Sequence, residues 1–313
     1  MEKKILVAVD TTPCHHHLVR YLCGLFAGET TLGIHLISIV PFHAGSASRE
    51  LLHEQDLLAT MSGATRKKYE AAGIALTKAA DNLRRCGFPE ERLSSQVHLA
   101  RAGALTDIMH EAQRGRYDAL LFGKRDLGLL EKAIAGSFTA EALTHNRGLP
   151  LWIVSGEVSS GKFLVPVDCS PHTLNAVDHL AFMLKNNPIA EITLFHSCSL
   201  LSSEHITPRE QLYEKWGAEW VEEHLRGDAE GHYHFEGPEQ ILREAGFSME
   251  RVHRLQTRKG IEPGQMIVHH VKHDGFGTIV MGRRQQDVSK GIFKGVSDRV
   301  LAHVKNVAIW LVG

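Results

Sequence analysis

The feature that most constrains the fold of this chain is an internal repeat. Four segments of the first half recur in the second half in the same order: ILVAVDTTP as FLVPVDCSP, LRRCGFPEER as LREAGFSMER, DALLFGKR as GTIVMGRR, and LPLWIVSG as VAIWLVG. Asp10 and Asp168 are 158 residues apart, and Gly123 and Gly282 are 159 apart. Because collinear matches at nearly one offset rarely arise by chance, we predict two copies of one domain, residues 1–157 and 158–313, joined through the polar segment SGEVSSGK.

Each copy has the same order of apolar and helical segments. Short apolar runs such as KILVAVD and TIVM alternate with segments of helical pattern such as LTDIMHEAQRG. Strands that alternate with helices predict a parallel sheet, and runs that are apolar on both faces are typical of buried parallel strands. We therefore predict an α/β fold with an open, doubly wound, five-stranded parallel sheet in each copy.

The topology also predicts where a ligand would bind. In open α/β sheets, ligands lie outside the carboxyl ends of the strands, at the point where the strand order reverses. In each copy we expect three features to meet there: the aspartate that ends strand one, the end of strand two, and the glycine-bearing loop after strand four.

The order VAVD, then a glycine-bearing loop, then GVSDRVL and VAIWLV resembles the universal stress protein family. The resemblance covers nearly the whole chain, as two universal stress protein domains in tandem. It implies a Rossmann-like, adenine-nucleotide alpha-hydrolase-like fold in each domain. It further implies a stress-response binding or regulatory protein that binds ATP or ADP, with or without Mg²⁺, and in which the aspartate after strand one helps to hold the nucleotide.

The resemblance also implies an assembly. Strand five of family members pairs across a two-fold axis in dimers, so the two domains of this chain are expected to form an intramolecular pseudo-dimer with pseudo-two-fold symmetry. Trp152 and Trp310 are then candidates for the interface, with a position in the domain core as the alternative. A homodimer of such chains is left open.

Many family members bind ATP through a loop of pattern G-x2-G-x9-G-[ST], which each copy matches in part. In the first copy, GKRDLGLLEKAIAGSFT, Asp126 stands at the second glycine, where its negative charge disfavours phosphate. In the second copy, GRRQQDVSKGIFKGVSD, Gln285 stands at that glycine and Val296 at the hydroxyl position, next to Ser297. The second loop also carries four basic residues that favour polyphosphate: Arg283, Arg284, Lys290 and Lys294. We therefore predict that the second copy is the better nucleotide site.

The residues predicted to bind nucleotide come from both copies. In the second copy they are Pro166, Val167, Asp168, Ser197, Met281, Gly282, Arg284, Gln285, Gly295, Val296 and Ser297. In the first copy they are Asp10, Ile39, Gly123, Gly136, Ser137 and Thr139. The structural alternative is that the two aspartates and Ser137 cap helices, which these residue types do well.

Other chemistry is not indicated by any motif. GxSxG, HExxH and the GK[ST] ending of a P-loop are absent from the sequence, so we predict no catalytic residues and at most a weak ATPase. Consecutive histidines such as His15, His16 and His17 point in different directions from a helix, whose start we expect to be exposed, and so do not predict a metal site. His232 and His234 would share a strand face, but no third ligand is evident and a surface loop is preferred.

Composition and charge indicate which classes of partner and which cellular compartment to expect. A formal net charge of −1 gives no pull towards nucleic acid or an anionic membrane. No apolar run approaches the roughly 20 residues of a membrane span. The five cysteines are scattered and odd in number, which predicts neither a disulfide framework nor a metal site and favours a reducing compartment, the cytoplasm.

Three functions remain open from the sequence. The first is a regulatory protein that binds an adenine nucleotide. The second is a tandem scaffold that has lost nucleotide binding and acts through protein contacts, which Asp126 and Gln285 favour. The third is an enzyme that uses an adenylate, for which the sequence offers no catalytic residues.

Overall fold

The computed structural model describes most of the chain and divides it into two compact units, Met1–Glu157 and Val158–Gly313. The described residues are 2–12, 15–41, 61–124, 148–168, 170–185, 187–197, 213–214, 216–224, 233–257, 262–283 and 296–313.

The first unit is a parallel five-stranded sheet with helices between its strands. Its strands are β1 (Lys3–Ala8), β2 (Leu32–Val40), β3 (Leu93–Leu99), β4 (Ala119–Gly123) and β5 (Leu151–Ser155). Its described helices are α1 (His15–Phe26), α2 (Gly63–Arg85) and α3 (Ala104–Gly115). The strand order is β3-β2-β1-β4-β5, and every pair along it is parallel.

The second unit repeats this arrangement. Its strands are β6 (Lys162–Pro166), β7 (Glu191–Ser197), β8 (Val252–Thr257), β9 (Thr278–Gly282) and β10 (Val307–Val312). Its described helices are α4 (Pro171–Leu184), α5 (Ala218–His224), α6 (Tyr233–Glu244), α7 (Pro263–His273) and α8 (Val296–His303). The order is β8-β7-β6-β9-β10, again parallel throughout. The predicted α/β class and the doubly wound strand order are confirmed.

The core of each unit lies where the sequence is apolar on both strand faces. Every residue of β4, β5 and β10 is buried, which explains why these runs lack a polar alternation. Trp152 has no exposed surface and stacks on Phe26 of α1, with ring centroids 6.0 Å apart. Trp310 is equally buried and meets the ring of Phe163 edge-on at 5.6 Å. Both tryptophans therefore pack within the core of their own unit.

Two local expectations were wrong. The segment GHYHFEG was expected to be a surface loop, but His234 lies in the first turn of α6, which begins at Tyr233. The cysteines were expected to stay unpaired, but Cys23 of α1 and Cys86 at the end of α2 form a disulfide, with Cα atoms 5.6 Å apart. A separation of 63 residues gave no sign of this pair in the sequence.

None of the described helices combines the length and the apolar character that a membrane crossing requires.

Candidate functional site

The reversal of strand order places a candidate site in each unit. In the first unit β1 lies between β2 and β4, and in the second unit β6 lies between β7 and β9. The carboxyl ends of these parallel strands share one edge of the sheet. The structure thus brings Asp10 to the edge that Gly123 occupies, and Asp168 to the edge that Gly282 occupies, as the sequence predicted.

In the second unit, the site is bounded by the first turn of α4. Ser170 is the N-cap, and its Oγ accepts a hydrogen bond from the backbone N–H of Thr173 at 3.2 Å. Asp168 supports this turn, because its Oδ1 accepts hydrogen bonds from the backbone N–H of Ser170 at 3.1 Å and from the hydroxyl of Thr173 at 2.6 Å. Pro171 at the first helical position is preset for a helix start. Asp168 therefore shapes the helix start, but the cap foreseen for it from the sequence is Ser170.

Gly282, at the end of β9, touches this same turn. A β-carbon at Gly282 would lie 2.5 Å from the carbonyl oxygen of His172 and 2.7 Å from the backbone N of Thr173, both of them backbone atoms that cannot swing aside. The strand end and the helix start are thus in backbone contact, and only glycine permits that approach.

Arg283 follows directly, and its guanidinium has no counter-charge among the described residues. Its backbone N–H donates to the carbonyl of Val312 at 2.6 Å, which extends the pairing of β9 with β10 by one residue. The side chain is half-buried, and burial lowers the pKa of its guanidinium. No carboxylate of the described residues forms an ion pair with it. A half-buried cation without a counter-charge is unfavourable on its own, and an anionic ligand would relieve this cost.

The end of β7 adds two polar side chains. Nδ1 of His196 donates to the carbonyl oxygen of Val167 at 2.9 Å, and the His196 ring stacks on His234 with centroids 3.8 Å apart. Oγ of Ser197 is buried and has no hydrogen-bond partner among the described residues. Pro166, the last residue of β6, is half-buried and Val167 is buried, whereas Asp168 after them is exposed.

In the first unit, Asp10 is hydrogen-bonded to Thr12. Both carboxylate oxygens of Asp10 accept from Thr12, one from the backbone N–H at 3.2 Å and the other from the hydroxyl at 2.6 Å. The carbonyl oxygen of Thr12 in turn accepts a hydrogen bond from Nδ1 of His15 at 2.7 Å. His15 is only 6% exposed, so the expectation that the start of α1 is exposed was wrong at this residue. Ile39, at the end of β2, is half-buried, and Gly123 is buried.

Several predicted positions lie outside the described residues. These are Asp126, Gly136, Ser137 and Thr139 in the first copy, and Arg284, Gln285, Lys290, Lys294 and Gly295 in the second. Val296 and Ser297 are described, and they form the half-buried first turn of α8. Met281 is buried in β9.

Two residues of the site were not among the predicted binding residues. Arg283 was noted only as one of four basic residues, since sequence alone does not show which of them the sheet edge covers. His196 belongs to no motif. Its position just before the end of β7 was the one feature of the sequence that could have indicated a place in the site.

The histidines do not form a metal centre in the described part of the chain. No three His, Cys, Asp or Glu side chains among those residues are arranged to hold a metal ion. His15 and His16 are close, with ring centroids 4.3 Å apart, but they have no third ligand of this kind within the described ranges.

The fold and the position of the site define a tandem α/β protein of the doubly wound class. A family model described as the universal stress protein family matches residues 1–155 and again residues 160–309. The chain therefore belongs to the universal stress protein family, and the resemblance seen in the sequence is confirmed.

Solved structures agree with this fold. A universal stress protein from Archaeoglobus fulgidus DSM 4304 is similar with a TM-score of 0.60 at 15% identity, over 99% of this chain and 95% of that chain. A protein from Pseudomonas aeruginosa UCBPP-PA14, described as a universal stress protein, gives a TM-score of 0.54 at 16% identity, over 99% of this chain and 93% of that chain. At these identities the likeness shows the fold alone. Comparison with curated proteins gave no match.

Proposed function

We propose that this chain is a regulatory binding protein whose second unit holds an adenine nucleotide, ATP or ADP, at the carboxyl edge of β6 and β9. The observation that carries the proposal is the half-buried guanidinium of Arg283, which has no ion-pair partner among the described residues. A phosphate group supplies both the charge and the acceptor geometry that a guanidinium prefers.

The elements around Arg283 support a phosphate position. The first turn of α4 directs backbone N–H groups towards this edge, and the positive end of its dipole favours an anion. Gly282 brings the chain against that turn without a side chain between them. The Ser197 hydroxyl, which has no hydrogen-bond partner among the described residues, supplies a further polar group at the carboxyl end of β7.

For the first unit a second candidate function is favoured. Asp10 uses both carboxylate oxygens on Thr12, and Asp126 adds a negative charge to the loop sequence. The negative charge of Asp126 opposes an anionic ligand. We propose that the first unit serves as a scaffold for protein contacts, and that neither unit is an enzyme beyond a weak ATPase. The cytoplasmic location, the intramolecular pseudo-dimer and the homodimer stay predictions.

The first test asks whether a nucleotide accompanies the purified protein. The chain is denatured after extensive washing, and the released small molecules are identified by mass spectrometry. We expect ATP, ADP or AMP at no more than one equivalent per chain, because one unit binds. Two equivalents would show that both units bind, and would refute the scaffold assignment of the first unit.

Absence of nucleotide in that extract is followed by equilibrium dialysis of the apo-protein against labelled ATP and Mg²⁺. Lack of binding at millimolar nucleotide would overturn the proposed function. Phosphate release above the level of a sample carried through purification without the chain would instead support the enzymatic alternative.

A further inference from the structure

The disulfide between Cys23 and Cys86 joins two elements that are far apart in the sequence. Cys23 lies in the third turn of α1, and Cys86 is the C-cap of α2. Both residues are half-buried, so small thiols can approach the bond from solvent. The bond closes a loop that contains all of β2 and all of α2.

The second unit shows that the fold does not need this bond. Alanine occupies both equivalent positions, Ala181 in α4 and Ala245 after α6. The repeats LRRCGF and LREAGF place Cys86 and Ala245 at the same point of the same turn.

The backbone of the two turns is also the same. Cys86 N–H donates to Asn82 O at 3.1 Å, and Ala245 N–H donates to Ile241 O at 3.0 Å. The next residue is a glycine with positive φ in each unit, 93° at Gly87 and 81° at Gly246. The turn therefore forms with or without the disulfide, and the disulfide constrains the chain without changing the backbone conformation of this turn.

That constraint acts on the core of the first unit. Phe26, three residues after Cys23 in α1, stacks on the fully buried Trp152 of β5. Pinning α1 to the end of α2 restricts the unfolded chain, so the bonded first unit is the more stable one. The second unit has no described counterpart of this bond and should not respond.

We propose that Cys23 and Cys86 form a reversible thiol–disulfide couple that sets the stability of the first unit according to the surrounding thiol pool. Reduction by a thiol of the glutathione class begins when its thiolate attacks one of the two sulfurs, which breaks the Cys23–Cys86 bond, releases the other cysteine as a thiolate and forms a mixed disulfide. A second glutathione thiolate then attacks the glutathione sulfur of the mixed disulfide, which releases the remaining cysteine thiolate and forms oxidised glutathione. Two electrons pass from the two glutathione thiols to the protein disulfide, and the two protons they lose are taken up by the protein thiolates. Oxidation runs the same exchange in reverse.

The test uses the full chain in buffers with different ratios of reduced to oxidised glutathione. Samples are quenched in acid, free thiols are alkylated, and the peptides that contain Cys23 and Cys86 are quantified by mass spectrometry. We expect the two thiols to appear and disappear together, reversibly, in both directions of the titration. A bond that stays intact in the native protein under excess reduced glutathione, or that forms at no ratio, overturns the proposal.

The second readout is thermal unfolding of each unit, followed by hydrogen exchange of peptides from α1 and α2 and from α4. We expect the unfolding temperature of the first unit to fall by about 5–15 °C on reduction while that of the second stays unchanged. The variant C23A/C86A copies the second unit and should lose this response. If the variant does not fold, the wild-type shift still decides the matter: equal unfolding temperatures of the first unit in reduced and oxidised protein contradict the proposal.

Discussion

Gly282 and His172 are in backbone contact: a β-carbon on Gly282 would lie 2.4 Å from the carbonyl carbon of His172. The loop glycine that the sequence assigns to nucleotide binding is therefore also the residue that lets the end of β9 meet the start of α4. Loss of binding in a Gly282 variant would mix two effects, a damaged fold and a damaged site.

Gly282→Ala should destabilise the second unit by about 1–3 kcal/mol, because the backbone atoms that it meets cannot move aside without shifting α4. Denaturant unfolding with separate signals for the two units measures this. The control is Gly73→Ala in α2, where nothing lies within 4 Å of an added β-carbon. There the helix should gain about 0.5–1 kcal/mol. Equal midpoints for Gly282→Ala and the wild type would show that the contact is not tight.

Asp168 should matter for stability through its acceptor atom rather than its charge. Asp168→Ala removes the partner of the Ser170 N–H and the Thr173 hydroxyl, and should cost about 1 kcal/mol. Asp168→Asn keeps an acceptor oxygen and should cost clearly less. The free energy of unfolding of the second unit gives both values. A larger loss in the asparagine variant than in the alanine variant would refute this role.

His179 should make the second unit sensitive to acid. Burial lowers the pKa of His179 to about 3. The native state therefore keeps the ring neutral, whereas the unfolded state binds a proton as the pH falls below about 6.5. The stability is fully present above that pH and declines as the pH falls towards 3. Between pH 7 and pH 5 the loss from this one group should approach about 2 kcal/mol.

The comparison for that prediction is His179→Phe, which cannot titrate but keeps a ring beside Trp310, whose ring centroid lies 5.9 Å from that of His179. Its unfolding free energy should fall less between pH 7 and pH 5 than that of the wild type. Identical slopes for His179→Phe and wild type would mean that the ring is protonated in the native state.

Much of the fold could be predicted from the sequence because the repeat and the hydrophobic periodicity point to the same answer. The order of strands and helices, and the position of the two aspartates at the sheet edge, follow from this periodicity, because buried strands and helices each require their own spacing of apolar residues. His234 was assigned to a surface loop because the short segment GHYHFEG has no helical period of its own, while the helical pattern that continues through ILREA decides the outcome.

Contacts between distant segments could not be predicted in this way. The pairing of Cys23 with Cys86 depends on how α1 packs beside the end of α2. The half-burial of Arg283 depends on the register of β9 with β10, which extends to Val312. The contact of Gly282 with His172 depends on where α4 begins. Each is a property of packing, on which spacing along the chain carries little information.

The most direct measurement of the central claim is a calorimetric titration of ATP with Mg²⁺, and of ADP, into wild-type protein, Arg283→Met and Arg243→Met. Arg243 lies on α6, where it pairs with Gln240, and its variant makes the same charge change in the same unit. We predict that Arg283→Met binds roughly 10–100-fold more weakly than the wild type, since it loses a charge-assisted contact, while Arg243→Met binds normally. We also predict that unliganded Arg283→Met is at least as stable as the wild type, because the half-buried charge is gone. Equal affinity in wild type and Arg283→Met, or no binding heat at all, would contradict the account.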